Sequence, residues 1–504
     1  MTDKGEVDTI TDINIDSVSE LDIDADSGDG HGHSDGPITL RTTTSLQALK
    51  MENSAIWKES IASAGFTGDL VVPSDADYDS ALNRFARNAR RNAGLVAFAK
   101  SPQDVSLVIN HASTNRIPLV IRGGGHSTSG SSSTQGGIVV DLSRHLNTVR
   151  VDEANKLGYV GGGADWAAVD AETIKYGLAT VGGTVNHTGV VQATIVTADG
   201  SILTVNETTN SDLFWGIRGG GCNFGCVTEF VFKLHPQPRH VFAGPLIFPY
   251  PRIAEVAIAA EQWYASAGDK EGLVIITTNK GMSGGPELVV IVFFNGDEDE
   301  GRRRYKPLFD LGPIMSLAGM IPFEKLNAMQ NDNISYGQNY HLTGFTRPSL
   351  PPDVASKAFD MLVEIANAPS EADLQMVLIW EYHILRKLSS VSPDATAFPM
   401  RVQRPLTVML VTWNKDSDQL TADAKSRLKR LQAFCEGALA SVFDEKGGKT
   451  AYDTGYTNTE MGDPGSVDVA RAMYGTNYPR LQQLKKKYDP NMMFKTWYPI
   501  LPAA

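Results

Sequence analysis

A run of three glycines followed by a histidine comes directly after the apolar stretch Pro118–Arg122, which favours a strand. Glycine adopts positive φ and lets backbone N–H groups converge on an anion, so this turn could cradle a pyrophosphate. The Rossmann, Walker and nucleophile-elbow patterns are not met: STSGSSSTQGG favours no helix, no Lys-Ser/Thr follows, and Ser129 replaces the elbow's glycine. A tight turn with an incidental histidine remains the alternative. The candidate residues are Arg122, Gly123, Gly124, Gly125, His126 and Ser127.

A second glycine-rich turn lies between a predicted helix, SDLFWGIR, and a predicted strand, VTEFVFKLHP. This order is the reverse of a Rossmann turn, which runs from strand to helix. Two glycine-rich turns that each touch a strand end indicate a large two-phosphate cofactor lying across them. Two unrelated tight turns are the alternative. The residues of interest in this turn are Gly221, Asn223, Gly225 and Val227.

The elements that must position these turns alternate between strands and helices. ALNRFARNARRN, within about Ser80–Ala99, predicts a helix, and GLVAFAK predicts a buried strand. A helix capped by Ser101-Pro102 precedes PLVIR, and WAAVDAETIKYGLAT predicts a helix of about four turns. The strands expected after the first turn are IVVDLS, NTVRVD, LGYVGGG and SILTV. Beyond the boundary His235–Pro238, AEVAIAAEQWYASA and SRLKRLQAFCEGALASVF predict helices, while LVIITTN and ELVVIVFFN predict strands.

Charge and composition exclude several classes of protein. The 504-residue chain has a net charge of -13, but residues 1–36 hold eleven of the acidic residues and a single lysine. The remainder is nearly neutral, which argues against a nucleic-acid or basic membrane-surface protein. No apolar run is long enough to span a bilayer, so we expect a soluble cytoplasmic protein without a membrane partner. Cys222, Cys226 and Cys435 allow no disulfide framework, and no metal site is expected.

The motifs taken together resemble the FAD-linked oxidases of the vanillyl-alcohol-oxidase and p-cresol-methylhydroxylase type, in the berberine-bridge-enzyme-like branch. The resemblance covers residues 55–500 and rests on RGGGHS, GLATVGGTVNHTG, ADGSILTVNETTNSDLFWGIRGGGCNFGCVTEFVFKL and YGTNYPRLQQLKKKYDPNMMF. It implies an α+β fold with a two-part FAD-binding domain and a substrate domain built from an antiparallel sheet and helices. The expected divisions are a disordered acidic tail over 1–45, the FAD domain over 46–240, the substrate domain over 241–465 and a C-terminal return over 466–504.

The resemblance also implies roles for individual residues. His126 matches the histidine that bonds covalently to the flavin, and Arg122 through Ser127 match the pyrophosphate loop. The turn that includes Gly221 and Val227 would line FAD, and Tyr474 and Asn477 would reach toward the isoalloxazine ring. His187 and Gly189, in the His-Thr-Gly step, are placed in the cofactor site as well. Val185 stands where some relatives carry a second, cysteinyl flavin bond, so a single covalent link at His126 is expected.

Two further departures concern activity. Relatives continue from the His-Thr-Gly-Val step into another glycine-rich loop, a helix and a strand, whereas Val190 here runs directly into Val191. Plant members have a glutamate base where this chain has Pro393; the neighbouring Asp394 is a weak candidate, although Ser-Pro-Asp favours a turn. Tyr336 is a second weak candidate for acid–base chemistry, and the nearby Tyr340 could act in the same way. For both tyrosines packing is the favoured interpretation.

The expected function is hydride transfer from a small alcohol, sugar, amine or polycyclic metabolite to a covalently bound flavin, which oxygen or another acceptor then reoxidises. Two alternatives stay open. The chain could be a non-catalytic or impaired member that lacks part of the flavin and substrate wall between Val190 and Val191. It could also be a scaffold that keeps the flavin without turning it over.

Overall fold

The computed structural model describes residues 53–181, 190–331, 336–371, 373–402, 404–443 and 465–504. The acidic segment 1–45 lies outside the described residues. Leu49–Ala504 form one compact unit.

The first sheet delivers the chain into the glycine–histidine turn. Its four strands have the order β1-β2-β4-β3, with β2, β4 and β3 parallel and β1 antiparallel at one edge. The Ser101 hydroxyl caps the following helix by accepting a hydrogen bond from the Asp104 amide, as the sequence predicts. The elements are α1 (residues 53–63), β1 (Asp69–Val71), α2 (Tyr78–Ala81), β2 (Leu95–Phe98), α3 (Pro102–Thr114), β3 (Leu119–Arg122) and β4 (Ile138–Asp141).

The second sheet is antiparallel and carries the other glycine-rich turn. Its five strands have the order β5-β6-β10-β8-β9. Val190 and Val191 are consecutive residues at the start of strand β8, so an added block between them would interrupt that strand at its first pair. The elements are β5 (Val149–Asp152), β6 (Leu157–Gly161), α4 (Trp166–Thr173), β7 (Leu178–Ala179), β8 (Val190–Val196), β9 (Ile202–Asn206), α5 (Ser211–Gly220), β10 (Cys226–Lys233) and β11 (His235–Pro236).

The third sheet is antiparallel and follows residues His235–Pro238. Its main path is β15-β12-β14-β13-β18-β19-β17, and β16 also pairs with β12. Three long helices, α6, α9 and α11, share one large hydrophobic core with alternate residues of these strands. The elements are β12 (His240–Phe248), α6 (Ile253–Ser266), β13 (Glu271–Thr278), β14 (Glu287–Phe294), α7 (Glu298–Arg304), α8 (Lys306–Asp310), β15 (Met315–Ser316), β16 (Gly319–Pro322), β17 (Asn339–Thr346), α9 (Pro352–Asn367), β18 (Gln375–His383), α10 (Arg386–Ser389), β19 (Leu406–Trp413) and α11 (Asp418–Phe443).

The C-terminal helices α12 (Val467–Tyr474) and α13 (Tyr478–Tyr488) return to the second sheet. Leu481 and Leu484 are buried in one hydrophobic cluster with Trp215 and Phe224, which flank the second glycine-rich turn. The fold is therefore the expected mixture of helices with antiparallel sheets. None of the helices in the described ranges combines the length and apolar character that crossing a bilayer requires.

Two helix predictions are wrong in extent. The helix expected within Ser80–Ala99 is reduced to α2 and a 3-10 turn at Arg87–Ala89. Tertiary partners replace helical hydrogen bonds there: the Phe85 amide donates to the Gly125 carbonyl at 3.1 Å. The helix expected from Trp166 is also shorter. It ends in a 3-10 turn, after which Gly177 adopts a left-handed φ of 65° and β7 begins at Leu178.

Asp170 on α4 joins the second sheet to the segment that precedes β17. Its carboxylate accepts a hydrogen bond from the Asn327 amide at 2.7 Å. Desolvation raises the pKa of Asp170 to about 6, although the Asn327 hydrogen bond opposes the shift. Since the folded pKa exceeds the unfolded one, the carboxyl stabilises the fold most when it is protonated, and this advantage is lost as pH rises toward 6.

Asp170→Asn should therefore raise the free energy of unfolding at neutral pH by up to about 2 kcal/mol and leave it nearly unchanged at a pH of about 4. Asparagine keeps an oxygen that accepts from Asn327 without burying a charge. Chemical denaturation at both pH values measures the effect, and Asp299→Asn, at an exposed position, is the control. A variant destabilised equally at both pH values would contradict this account.

Candidate cofactor site

The glycine–histidine turn is bordered by two arginines. Arg122, the last residue of β3, donates through Nη1 to the buried Asp141 carboxylate at 2.7 Å. The buried Arg84 donates through Nη2 to the Ser132 carbonyl at 2.9 Å. Desolvation and the neighbouring Arg122 lower the pKa of Arg84 to about 10, so the Arg84 guanidinium group remains cationic at neutral pH. The Nε atom of Arg122 is buried without a partner among the described residues, which gives this turn an unused hydrogen-bond donor.

Gly125 shows why the turn requires glycine. Its φ is 72°, and a Cβ atom there would lie 3.0 Å from Arg122 Nε and 3.3 Å from Arg84 Cδ. A side chain would therefore strain the backbone and push apart the two arginines. Next to the turn, the hydroxyl of Ser127 hydrogen-bonds to those of Ser129 and Ser131 at 2.8 and 2.9 Å.

A third run of glycines links the two glycine-rich turns. The sequence pattern LGYVGGG predicts it only as the end of a strand. A Cβ atom on Gly123 would lie 2.9 Å from the Gly162 carbonyl oxygen. One on Gly162 would lie 2.1 Å from the Val227 carbonyl oxygen, and the Gly162 amide donates to Thr228 at 2.9 Å. Three backbone segments thus approach without side chains between them. The repeat of the triple glycine at residues 161–163 is the signal that could have revealed this contact.

His126 lies in an aromatic cluster with Phe85, Tyr336 and Tyr340. Its ring stacks on Phe85 with centroids 5.0 Å apart, and Phe85 stacks on Tyr340 at 4.4 Å. The Tyr336 hydroxyl lies 2.9 Å from His126 Nε2. Partial desolvation lowers the pKa of His126, partly offset by Asp165, so the imidazole is neutral at physiological pH. Packing is the role that the sequence favours for Tyr336 and Tyr340, and no sequence motif marks Phe85 as part of this cluster.

Backbone hydrogen bonds hold this cluster together. The Phe85 amide donates to Gly125 in the glycine turn, and the Phe85 carbonyl accepts from Gly337 at 3.2 Å. The Arg87 amide donates to the Gln338 carbonyl at 2.8 Å. Phe85 is therefore clamped between the turn that carries His126 and the strand that carries Tyr340.

Two family models and several curated proteins match parts or most of this chain. A family model described as an FAD binding domain matches residues 93–206, and a second, described as berberine and berberine like, matches residues 454–500. An FAD-linked oxidoreductase of Aspergillus terreus, pgmH, is 28% identical over 472 residues, which cover 86% of this chain and 94% of that protein. The chain is thus similar to FAD-linked oxidoreductases, and it contains segments that match an FAD binding domain and a berberine-like domain.

Solved structures show the same fold. A crystal structure of 6-hydroxy-D-nicotine oxidase from Arthrobacter nicotinovorans aligns with a TM-score of 0.74 at 21% identity, covering 87% of this chain and 99% of that one. A berberine bridge enzyme variant aligns with a TM-score of 0.73 at 20% identity, covering 89% of this chain and 100% of that one. The FAD-binding fold of the p-cresol-methylhydroxylase type, expected from the sequence, is confirmed.

The described residues around the two glycine-rich turns fit an FAD cofactor. Backbone amides and two cationic side chains surround the glycine turn, a combination that suits a diphosphate. The close approach at Gly162 brings that turn to the second glycine-rich turn, so one cofactor could contact both. His187 and Gly189 lie outside the described residues. Within the described ranges, no group of three or more His, Cys, Asp or Glu side chains is arranged to hold a metal ion.

Two of the side chains that the resemblance places near FAD, Asn223 and Asn477, are hydrogen-bonded to the protein backbone. The buried Asn223 amide donates to the Gly220 carbonyl at 2.9 Å, and its oxygen accepts from the Ile500 amide at 3.2 Å. The buried Asn477 amide donates to the Pro393 carbonyl at 2.9 Å. Tyr474 is buried in the same cluster as Trp215, with no described partner for its hydroxyl. Asn223 and Asn477 thus hold the site's loops in place.

Asp394 caps its own turn. Its side chain is exposed and accepts a hydrogen bond from the Ser392 hydroxyl, while its backbone carbonyl accepts from the Trp215 indole at 2.7 Å. This geometry agrees with the Ser-Pro-Asp turn that the sequence favours.

Lys485 belongs to the run Lys485–Lys487, and three adjacent lysines are typical of a solvated helix face. Lys485 is fully buried and donates to the Asn223 carbonyl at 2.7 Å, the Phe494 carbonyl at 2.6 Å and Asp489 Oδ2 at 2.7 Å. A buried ammonium group is tolerated because all three donors find oxygen partners. Lys485 therefore ties the C-terminal return to the second glycine-rich turn.

Lys485→Met should lower the free energy of unfolding by about 3 kcal/mol, because it leaves the buried Asp489 carboxylate unpaired. It should also weaken the binding of FAD to the refolded protein, since the Asn223 carbonyl loses the ammonium group that donates to it. Lys486→Met, next to it on the exposed face, is the control and should change stability by about 0.5 kcal/mol or less. Equal stability of the two variants would show that Lys485 is not an anchor.

Proposed function

We propose that this chain oxidises a small organic molecule by passing a hydride to FAD bonded covalently to His126. The observation that supports the proposal most directly is the position of His126. It follows the arginine-bordered glycine turn, carries a lowered pKa and packs against the edge of the third sheet through Phe85 and Tyr340.

The glycine turn and its arginines would hold the diphosphate. Arg122 is fixed by Asp141, which also accepts hydrogen bonds from the Ser143 amide and hydroxyl at 2.9 and 2.6 Å. Since Asp141 is buried and fully engaged, the guanidinium orientation is set before any ligand arrives. Preorganised charge of this kind costs no rearrangement on binding.

His126 would carry the covalent bond. A neutral imidazole has a nucleophilic lone pair, and the lowered pKa keeps the ring in that form. Because Nε2 faces the Tyr336 hydroxyl, we assign the bond to Nδ1. Phe85 stacks on the ring and fixes its plane. When bound, FAD would supply a two-electron acceptor that oxygen or another oxidant can regenerate.

Tyr336 is better suited to orient His126 than to act as a base. Desolvation raises the pKa of Tyr336, so its hydroxyl stays protonated at neutral pH and offers no proton-accepting phenolate. The exposed, turn-capping Asp394 is the weaker of the two candidates by position. The proton that the substrate loses would then be accepted by a group other than these two side chains.

His126→Ala should abolish flavin absorbance that survives acid precipitation, while the fold and reversible FAD binding remain. The reason is that the variant loses the nucleophile and keeps the arginine-bordered turn. Absorption spectra of precipitated protein and intact-protein mass measure the bond, and circular dichroism reports the fold. His240→Ala, at an exposed position on β12, is the matched control.

Acid-stable flavin in the His126→Ala protein would contradict the attachment site. A wild-type protein purified with FAD and found colourless after precipitation would contradict the covalent bond itself. Tyr336→Phe refines the assignment: we expect slower attachment with the bond still at His126, since the phenyl ring keeps the packing and loses the hydrogen bond.

A further inference from the structure

The outermost strand of the third sheet has one backbone edge that no strand among the described residues covers. β15 and β16 lie at one end of this sheet and both pair with β12 in the same antiparallel register. Between them, the Leu317 amide donates to the Pro245 carbonyl at 2.9 Å. The chain from Ile314 to Pro322 therefore runs along β12 as one strand, which we call the edge strand.

The edge strand exposes four large apolar side chains. Ile314 and Leu317 are 69% and 60% exposed, and Met315 and Met320 are 46% and 41% exposed. If a side chain of this size has a full surface of about 200 Å², the four together leave roughly 400 Å² of apolar surface in contact with water, an area typical of a functional patch. A run of neighbouring exposed apolar residues is unfavourable in a strand that stays solvated, which indicates that another molecule covers it.

This surface carries no charge. Residues 311–323 include no Asp, Glu, Lys or Arg. Exposed strand edges are commonly kept from pairing by charged side chains, and that protection is missing here. The flanks carry both signs: Asp310 is paired with Lys306 on one side, and Glu324 is followed by Lys325 on the other. Two such surfaces can therefore approach each other without repulsion between like charges.

We propose that the edge strand is the interface of a homodimer, in which it lies antiparallel to the same strand of a second copy, centred on Leu317. Two identical antiparallel strands are related by a two-fold axis, so each copy presents the surface that the other requires. Residues at equal distances from Leu317 then face each other. Ile314 of one copy lies opposite Met320 of the other, and Leu317 lies opposite itself, so the apolar side chains cover one another.

The area agrees with a small but specific interface. Two facing patches would bury roughly 800 Å² of apolar side-chain surface, and the strand backbones and flanks would bring the total above the 1,000 Å² or so expected of a biological contact. An interface at this lower limit predicts a dimer that dissociates on dilution. The two-fold axis also closes the assembly, so the strand offers no free edge to a third copy.

Sedimentation velocity of the purified full-length chain, from about 1 µM to about 100 µM, tests the dimer in the range where a small interface dissociates. We expect the wild-type protein to change from monomer to dimer as its concentration rises. Leu317→Lys places two ammonium groups opposite each other and should raise the dimer Kd at least about tenfold. Ile258→Lys, at an exposed position on α6, is the matched control and should leave the Kd unchanged.

A wild-type protein that stays monomeric, or that forms open-ended aggregates, would overturn the proposal, as would equal Kd values for the two variants. Circular dichroism melts report whether each variant folds. If Leu317→Lys does not fold, Ile314→Lys tests the same contact, because it places a charge opposite Met320 of the second copy and should also raise the Kd.

A cysteine at the centre tests the arrangement of the two strands. Because Leu317 lies opposite itself, the cysteines of Leu317→Cys should face each other and form an intermolecular disulfide under mild oxidation. Ile258→Cys should not cross-link. The parent protein, oxidised in parallel, reports any linkage through Cys222, Cys226 or Cys435. If Leu317→Cys stays unlinked while the protein dimerises, the interface lies elsewhere on the surface and the proposal fails.

Other occupants of the edge strand give different results. A chain that docks on lipid should sediment with phosphatidylcholine vesicles as a monomer and lose this binding in Leu317→Lys, and a chain that docks on another protein should remain monomeric when pure. Both outcomes refute the homodimer. The absorption spectrum of the same samples reports their flavin content, so a dimer without FAD argues against the proposed function and leaves the interface standing.

Discussion

The contact of three backbone segments at Gly162 is the constraint on which the candidate site depends. A Cβ atom on Gly162 would lie 2.1 Å from the Val227 carbonyl oxygen, a distance that no side chain can occupy. The same residue approaches Gly123 from the other side. The two glycine-rich turns, 100 residues apart along the chain, can share one cofactor only because this crossing has no side chains.

The remaining contacts keep that crossing in place. The C-terminal return holds the second turn through Lys485, whose ammonium group donates to the Asn223 carbonyl. Phe85 holds the first turn, because its amide donates to Gly125 and its ring packs on His126. Each anchor comes from a segment distant in sequence, so the site forms only when the first two sheets, the third sheet and the C-terminal helices have assembled.

The same assembly places one face of the edge strand β17, the face that carries Tyr340 and Leu342, beside the rings that pack on His126. Strand alternation fixes which residues share that face, and the helices on the other side leave them outside the main core. Tyr340 belongs both to this face and to the aromatic cluster of His126. His126 and this strand are thus joined through Phe85, whose ring stacks on both His126 and Tyr340.

Sequence reasoning predicted the parts of the fold that local pattern controls. The Ser101 cap, the strand before Gly123 and the helix before Gly219 follow from short-range signals and are confirmed. It failed over Ser80–Ala99, where helical spacing of apolar residues competes with tertiary hydrogen bonds to Gly125 and Gln338. Nor does sequence reveal that Lys485 is buried, because a run of three lysines is typical of a solvated face and only the fold surrounds one of them.

The sequence by itself indicated the resemblance to FAD-linked oxidoreductases, the cofactor class and the candidate histidine at the end of the glycine turn, since glycine runs and their flanking residues form a local, recognisable pattern. Only the tertiary structure decided which side chains face His126. Phe85, Tyr336 and Tyr340 come from segments more than 200 residues apart, and no local pattern records that they meet. It likewise decided that Asn223 and Asn477 hold loops, because a side chain's hydrogen-bond partners depend on distant backbone that folding brings within reach.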